Sequence, residues 1–317
     1  MSIDWLRLIL DSPSPEAAWT DIFGALLNVA GASPSPVAIH DATVVPDRLL
    51  SEAAWELWKA YPNHREKTSA LLKEWTSDTG PKAVLILDAL SLRELPLILG
   101  GAQTRGIQPV RIKVTGSECP STTDQFAHAL GLQSRSALAN DSKPSDFALF
   151  GSACYTDVFS HPFEDCAIPP SPNVVIWHSW LDDHIHLYKK LPDQIAGIAS
   201  TILQGDGFWR FVDKLRQGRG LVITSDHGYA VSKRFSSEVE DPDAIAILRE
   251  AFGASRSKAA SEPPKQSFMP PIVMTANGRN VVMGQRKWKV QGAFPDICHG
   301  GMSLLEVAVP WIELPGL

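Results

Sequence analysis

Apolar positions along the chain follow two rhythms, and the change falls at Gly80-Pro81. Before it they recur at helical spacing. Ser14-Pro15-Glu16 reads as an N-cap followed by Pro at the first helical position, and Ala17 to Val29 continues as an amphipathic helix. Asp47 to Tyr61 and Ser69 to Thr76 repeat the pattern, with Leu50, Ala54, Leu57, Leu71, Leu72 and Trp75 on apolar faces. After it comes Ala83-Val-Leu-Ile-Leu87, a short unbroken apolar run that suits a strand covered on both faces. Further strands are predicted at 109–114, 146–150, 173–177 and 220–225, and helices at 91–104, 123–131, 192–217 and 242–252. The alternation predicts an α/β fold with a mostly parallel sheet and helices on both faces. A hairpin turn is read at Thr275-Ala-Asn-Gly-Arg279, and a mobile loop over Ala254 to Gln266. The chain thus divides into a helical segment, 1–80, and an α/β domain, 81–317.

Composition narrows the class. Hydrophobic residues make up 44% and charged residues 20%, with ten Trp and twelve Phe, enough for a sizeable core and unlike a disordered or fibrous chain. A net charge of −6 argues against binding nucleic acid over the whole surface, though a local basic groove stays open. Four Cys without CxxC spacing predict a reducing, cytoplasmic setting. No apolar run approaches the roughly 20 residues a membrane span needs, so no membrane partner is expected.

Polar residues gather just past predicted strand ends, where open α/β sheets bind ligands. Asp88 follows 83–87, and Asp226-His227-Gly228 follows 220–225. Asp182 and His186 are four apart, so on a helix a carboxylate and an imidazole share one face. His299-Gly300-Gly301 allows a tight turn and close approach. Each has a plain structural explanation when taken singly: a cap, a solvated cluster, a loop.

Taken in order, LILDAL (85–90), CPSTT (119–123), DDHIH (182–186), TSDHG (224–228) and HGGMSLLEVAVP (299–310) resemble the alkaline phosphatase superfamily and, within it, the PglZ domain. The closing phrase carries the PglZ likeness, and the resemblance spans residues from about 80 to the end. It implies a three-layer α/β/α sandwich holding two divalent metal ions, zinc first and manganese second, about 4 Å apart. Asp182, His186 and His299 would hold one ion. Asp88, Asp226 and His227 would hold the other, together with the oxygen of Thr123. Pro120-Ser121-Thr122-Thr123 is similar to the nucleophile phrase of phosphodiesterase-like members, with Thr123 as nucleophile at a helix start. Ser121 and Thr122 remain rivals, because all three are good helix caps. Cys119 directly precedes Pro120 and no Arg follows Ser121, which departs from the sulfatase phrase. The 42 residues from Leu132 to Asn173 are too short an insertion for a mutase.

The resemblance implies a metal-dependent phosphoesterase, acting on a diester rather than a monoester, with a nucleotide or nucleic acid among the candidate substrates. It also implies bacterial anti-phage defence of the BREX type, with partner proteins of that system. The alternative is a non-catalytic or regulatory metal-binding subunit of a defence or signalling complex. Three peripheral readings complete the picture. Lys233 and Arg234 are candidates for a phosphate oxygen; Arg279, Arg286, Lys287 and Lys289 around Trp288 form a basic ribbon; and His178 and His184 read as solvent-facing.

Overall fold

The structure, a computed structural model, describes residues 3–33, 35–188, 190–235, 237–260, 262, 264 and 268–317. Five helices come first: α1 (Trp5–Asp11), α2 (Pro15–Ala32), α3 (Pro36–Glu52), α4 (Trp55–Ala60) and α5 (Thr68–Ser77). Ser14 and Ser35 cap α2 and α3 by accepting from the N–H of Ala17 and Ala38, each with Pro at the next position. The middle of the chain alternates: β1 (Lys82–Leu87), α6 (Leu95–Thr104), β2 (Arg111–Gly116), α7 (Thr123–Ala129), β3 (Tyr155–Phe159), β4 (Asn173–His178). It continues through α8 (Trp180–Leu187), α9 (Pro192–Leu203), α10 (Asp206–Arg216) and β5 (Gly220–Thr224). The C-terminal part carries β6 (Ala230–Val231), β7 (Ser237–Val239), α11 (Pro242–Phe252), β8 (Ser257–Ala259), β9 (Val273–Ala276) and β10 (Arg279–Val282). It ends with β11 (Arg286–Trp288), β12 (Ile297–Cys298), α12 (Leu304–Val307) and β13 (Ala308–Leu314).

Six strands form the central sheet in the order β2-β13-β5-β1-β4-β3. β5, β1, β4 and β3 run parallel, and β13 lies antiparallel between β2 and β5. The unbroken apolar runs are explained by burial on both faces. Ala83, Leu85 and Leu87 of β1 belong to one core cluster and Val84 and Ile86 to another, and β4 and β5 alternate in the same way. The first cluster includes side chains of α2, α6, α9 and α10; the second includes Leu72 of α5 and Phe126 of α7. This is a three-layer α/β/α arrangement with a mostly parallel sheet. Trp19, Phe23, Trp58 and Tyr61 of the N-terminal helices join the first cluster, so they pack onto the same core as the sheet.

Three expectations need correction. Residues 146–150 are not a strand: Leu149–Ser152 is a 3-10 turn with Phe150 and Ser152 at positive φ, and Phe147 and Leu149 are buried by packing. A short apolar run cannot separate those outcomes. The edge strand is instead β3. The single helix at 192–217 is two, α9 and α10, separated at Gly205, where a Cβ would lie 2.9 Å from the Thr201 carbonyl oxygen. The segment 254–266 contains β8, paired with β10, while its residues 261, 263, 265 and 266 lie outside the described residues. The hairpin at 275–279 is found where expected, between β9 and β10.

Candidate metal centre

The carboxyl ends of β1 and β5 are adjacent in the sheet, and each turns sharply into a charged residue. Asp88 is fully buried after β1. The next residue, Ala89, has φ 61°, a left-handed conformation unusual for a side chain with a Cβ, and its N–H donates to Asp226 Oδ1 at 3.1 Å. Ser225 fastens the β5 turn: its Oγ lies 2.7 Å from the carbonyl oxygens of both Leu87 and His227, which share its single proton. Gly228 is required there, since a Cβ would lie 2.3 Å from the Leu305 carbonyl oxygen.

His227 Nδ1 lies 2.9 Å from the Gly228 carbonyl oxygen, so that nitrogen carries the proton and donates. Nε2 is then left with its lone pair facing the cluster. It lies 3.4 Å from Asp226 Oδ2, 3.8 Å from Asp88 Oδ1 and 3.2 Å from Thr123 Oγ1. On α8, His186 Nε2 is 3.4 Å from Asp182 Oδ1, as four-residue spacing dictates. His299, in the turn between β12 and α12, brings its Nε2 to 3.8 Å from the same oxygen. Its ring stacks on His227, with centroids 4.6 Å apart and planes at 17°, so the two groups are contiguous.

The six side chains therefore form two sets, Asp182–His186–His299 and Asp88–Asp226–His227, and within each set the ligand-type atoms lie within 4.8 Å of one another. Asp182 Oδ1, Asp226 Oδ2 and His299 Nδ1 are buried without a hydrogen-bond partner. Buried polar atoms are nearly always satisfied, and a set of carboxylates and imidazoles left open in this way suits divalent cations. Electrostatics agrees. Burial and then the neighbouring Asp226 and Asp182 carboxylates push Asp88 well above the usual carboxylate range. Burial, with the His227 ring beside it, lowers His299 to about 4, so its imidazole is neutral at pH 7. For Asp182 burial acts upward, but His186 and the nearby imidazoles outweigh it and hold the carboxyl at about 2.

The rivals in the Pro120–Thr123 phrase occupy different positions. Ser121 is fully buried; it donates to the Gly301 carbonyl oxygen at 2.8 Å and accepts the Gly300 N–H at 3.1 Å. Thr122 is the N-cap of α7, accepting from Gln125 N–H. Thr123, at the first position of α7, directs Oγ1 to Asp88 Oδ1 at 3.3 Å and to His227.

Several peripheral readings fall away. Lys233 pairs with Asp296 at 2.9 Å and Arg234 with Asp41 at 3.1 Å, so both are engaged elsewhere on the surface. Trp288 is buried in the C-terminal cluster and Arg286 is buried and donates to the Ser51 carbonyl oxygen, so neither can line an exposed ribbon, although Lys289 is exposed and Lys287 and Arg279 are half-buried. His178 is not solvent-facing: it is 1% exposed and stacked on Phe163. Asp183 accepts from Ser179 Oγ at 2.5 Å, and His184 Nδ1 lies 2.8 Å from the Trp180 carbonyl oxygen, so both are engaged by residues outside the two sets. Sequence reasoning missed Arg135, whose guanidinium pairs with Asp88. No spacing could have pointed to it, because it enters from the 132–173 insertion.

No protein-family model matches the chain, and no curated protein matches it. Among solved structures, the phosphonoacetate hydrolase of Sinorhizobium meliloti 1021, in complex with phosphonoacetate, is 12% identical with a TM-score of 0.38, over 75% of this chain and 90% of that one. Murine ectonucleotide pyrophosphatase/phosphodiesterase 5 is 12% identical with a TM-score of 0.46, over 75% of this chain and 88% of that one. Among the described residues, no helix is long and apolar enough to cross a membrane.

Proposed function

We propose that the protein is a metal-dependent phosphoesterase with Thr123 as its nucleophile. The observation that carries this reading is convergence: two sets of ligand-type side chains meet at one sheet edge, and Thr123 Oγ1 lies 3.3 Å from Asp88 Oδ1 and 3.2 Å from His227 Nε2. Two divalent cations, zinc or manganese, held by Asp182, His186 and His299 and by Asp88, Asp226, His227 and Thr123, would supply Lewis-acid stabilisation of the reacting oxygens.

The chain's own contributions follow from its geometry. Thr122 and Ser121 fix the turn so that the Thr123 hydroxyl alone of the three faces the cluster. Its oxygen attacks phosphorus and gives up the hydroxyl proton to solvent, while the bond to the leaving oxygen breaks in line and that group departs as an alcohol protonated by solvent. Water then hydrolyses the phosphothreonine, restoring the hydroxyl and releasing the phosphate. The substrate class is a phosphodiester, nucleotides included. The likeness of His299–Pro310 to PglZ domains supports an anti-phage role of the BREX type, working with partner proteins in the cytoplasm.

The test is turnover of bis-p-nitrophenyl phosphate with and without chelator. Thr123→Ala should abolish turnover while cation content and folding stay near wild type, and Thr123→Ser should keep part of the activity. Full activity in Thr123→Ala would overturn the covalent route.

A further inference from the structure

Asp88 uses its two carboxylate oxygens differently. Oδ1 faces Thr123 Oγ1 at 3.3 Å and His227 Nε2 at 3.8 Å, the side on which its cluster converges. Oδ2 accepts from Trp177 Nε1 at 3.1 Å and from Arg135 Nη1. Trp177 is immobile. It sits on β4 beside Ile86 of β1 and packs edge-on against Phe126 of α7, with centroids 5.4 Å apart.

Arg135 arrives from outside the sheet. It opens the 3-10 segment Arg135–Asp141 in the insertion. That segment is anchored by fully buried Leu138, by Thr156 Oγ1 donating to the Leu138 carbonyl oxygen at 2.8 Å, and by Asn140 N–H donating to Asp157 Oδ1 at 2.9 Å. The backbone is therefore fixed to β3, while the Arg135 side chain is 26% exposed at the edge of the cluster. Among the described residues it is the only Lys or Arg paired with Asp88, Asp182 or Asp226.

We propose that Arg135 is a positioning residue for the metal centre: with Trp177 it holds Asp88 Oδ2, fixes the carboxylate plane and leaves Oδ1 as the ligand oxygen. This rests on the metal-dependent reading above and gives the 132–173 insertion a part in it. Two effects of Arg135 on cation binding oppose each other. A guanidinium near the site repels an incoming cation, which would weaken binding. A ligand carboxylate held by outer hydrogen bonds loses no rotamer freedom on binding, and such partners are worth about 10–100-fold in metal affinity. Because Arg135 holds the oxygen turned away from Thr123 and His227, the second effect dominates.

The experiment is calorimetric titration of the chelator-treated 317-residue chain with zinc, for wild type, Arg135→Met and Arg135→Lys. Near-ultraviolet circular dichroism of the cation-free proteins checks that each is folded. Arg135→Met should bind zinc about tenfold or more weakly, and Arg135→Lys, which restores a charged donor, should recover part of the loss. Unchanged or tighter binding by folded Arg135→Met, with wild type binding normally, overturns the positioning role and leaves the metal-dependent reading intact. Absence of zinc binding by wild type overturns both.

Discussion

Ser121→Ala tests how the nucleophile turn is tied to the His299 loop. The hydroxyl makes two buried bonds, to the Gly301 carbonyl oxygen at 2.8 Å and from the Gly300 N–H at 3.1 Å. Alanine removes both and leaves two backbone groups without partners, each costing about 1–3 kcal/mol. The loop keeps one anchor. Glu306 accepts the Gly301 N–H at 2.9 Å and is itself held by Arg256 in a fully buried ion pair. The expected loss is therefore about 2–4 kcal/mol. Urea unfolding of chelator-treated protein should show a lower midpoint with an unchanged slope. Thr122→Ala, which removes only the α7 cap, should cost about 1 kcal/mol. If Ser121→Ala costs no more than Thr122→Ala, the bridge does not hold the two loops and their coupling must be abandoned.

Asp182→Ala and His186→Ala should each lower zinc content, measured by atomic emission, whereas Asp183→Ala and His184→Ala should retain it; damage from Asp183→Ala would mean that the wrong face of α8 was chosen. Stability should also fall with acid through His178. Its Nδ1 accepts from Trp180 N–H at 3.2 Å and its Nε2 donates to the His161 carbonyl oxygen at 3.0 Å, so the buried neutral ring is fully satisfied. Burial lowers its pKa from 6.5 to about 3. The unfolded state then binds the extra proton, so this stability is complete above the unfolded value and is lost as pH falls toward the folded one. Denaturant unfolding from pH 7 to 4 should show that fall, and His178→Gln should flatten it by up to about 1.4 kcal/mol per pH unit. An unaltered slope would mean that His178 is not the titrating group.

The sheet was largely legible because β1, β4 and β5 are buried on both faces, which leaves unbroken apolar runs. What failed were positions where tertiary packing outweighs local pattern. Phe147 and Leu149 look strand-like but are buried in irregular backbone, and Gly205 divides a helix that its apolar spacing would continue. The six ligand-type residues stood out as candidates because each follows a strand end, sits within a helical four-residue spacing, or lies in a glycine turn, but it was the resemblance of the five ordered motifs that implied two ligand sets. Their convergence depends on contacts without local signature: Ala89 N–H to Asp226, Ser121 to the His299 loop, and Arg135 to Asp88. Trp288 shows the reverse error. Basic neighbours suggested an exposed ribbon, yet its indole is buried and donates to the Gly253 carbonyl oxygen at 2.8 Å.

Whether this sheet edge holds a two-cation centre is decided by counting metal. Protein purified without chelator, or reconstituted with zinc or manganese, should carry close to two equivalents per chain by elemental analysis. Asp226→Ala and His299→Ala should each fall toward one, because they belong to different sets. A folded wild-type chain that retains no cation after reconstitution would contradict the account.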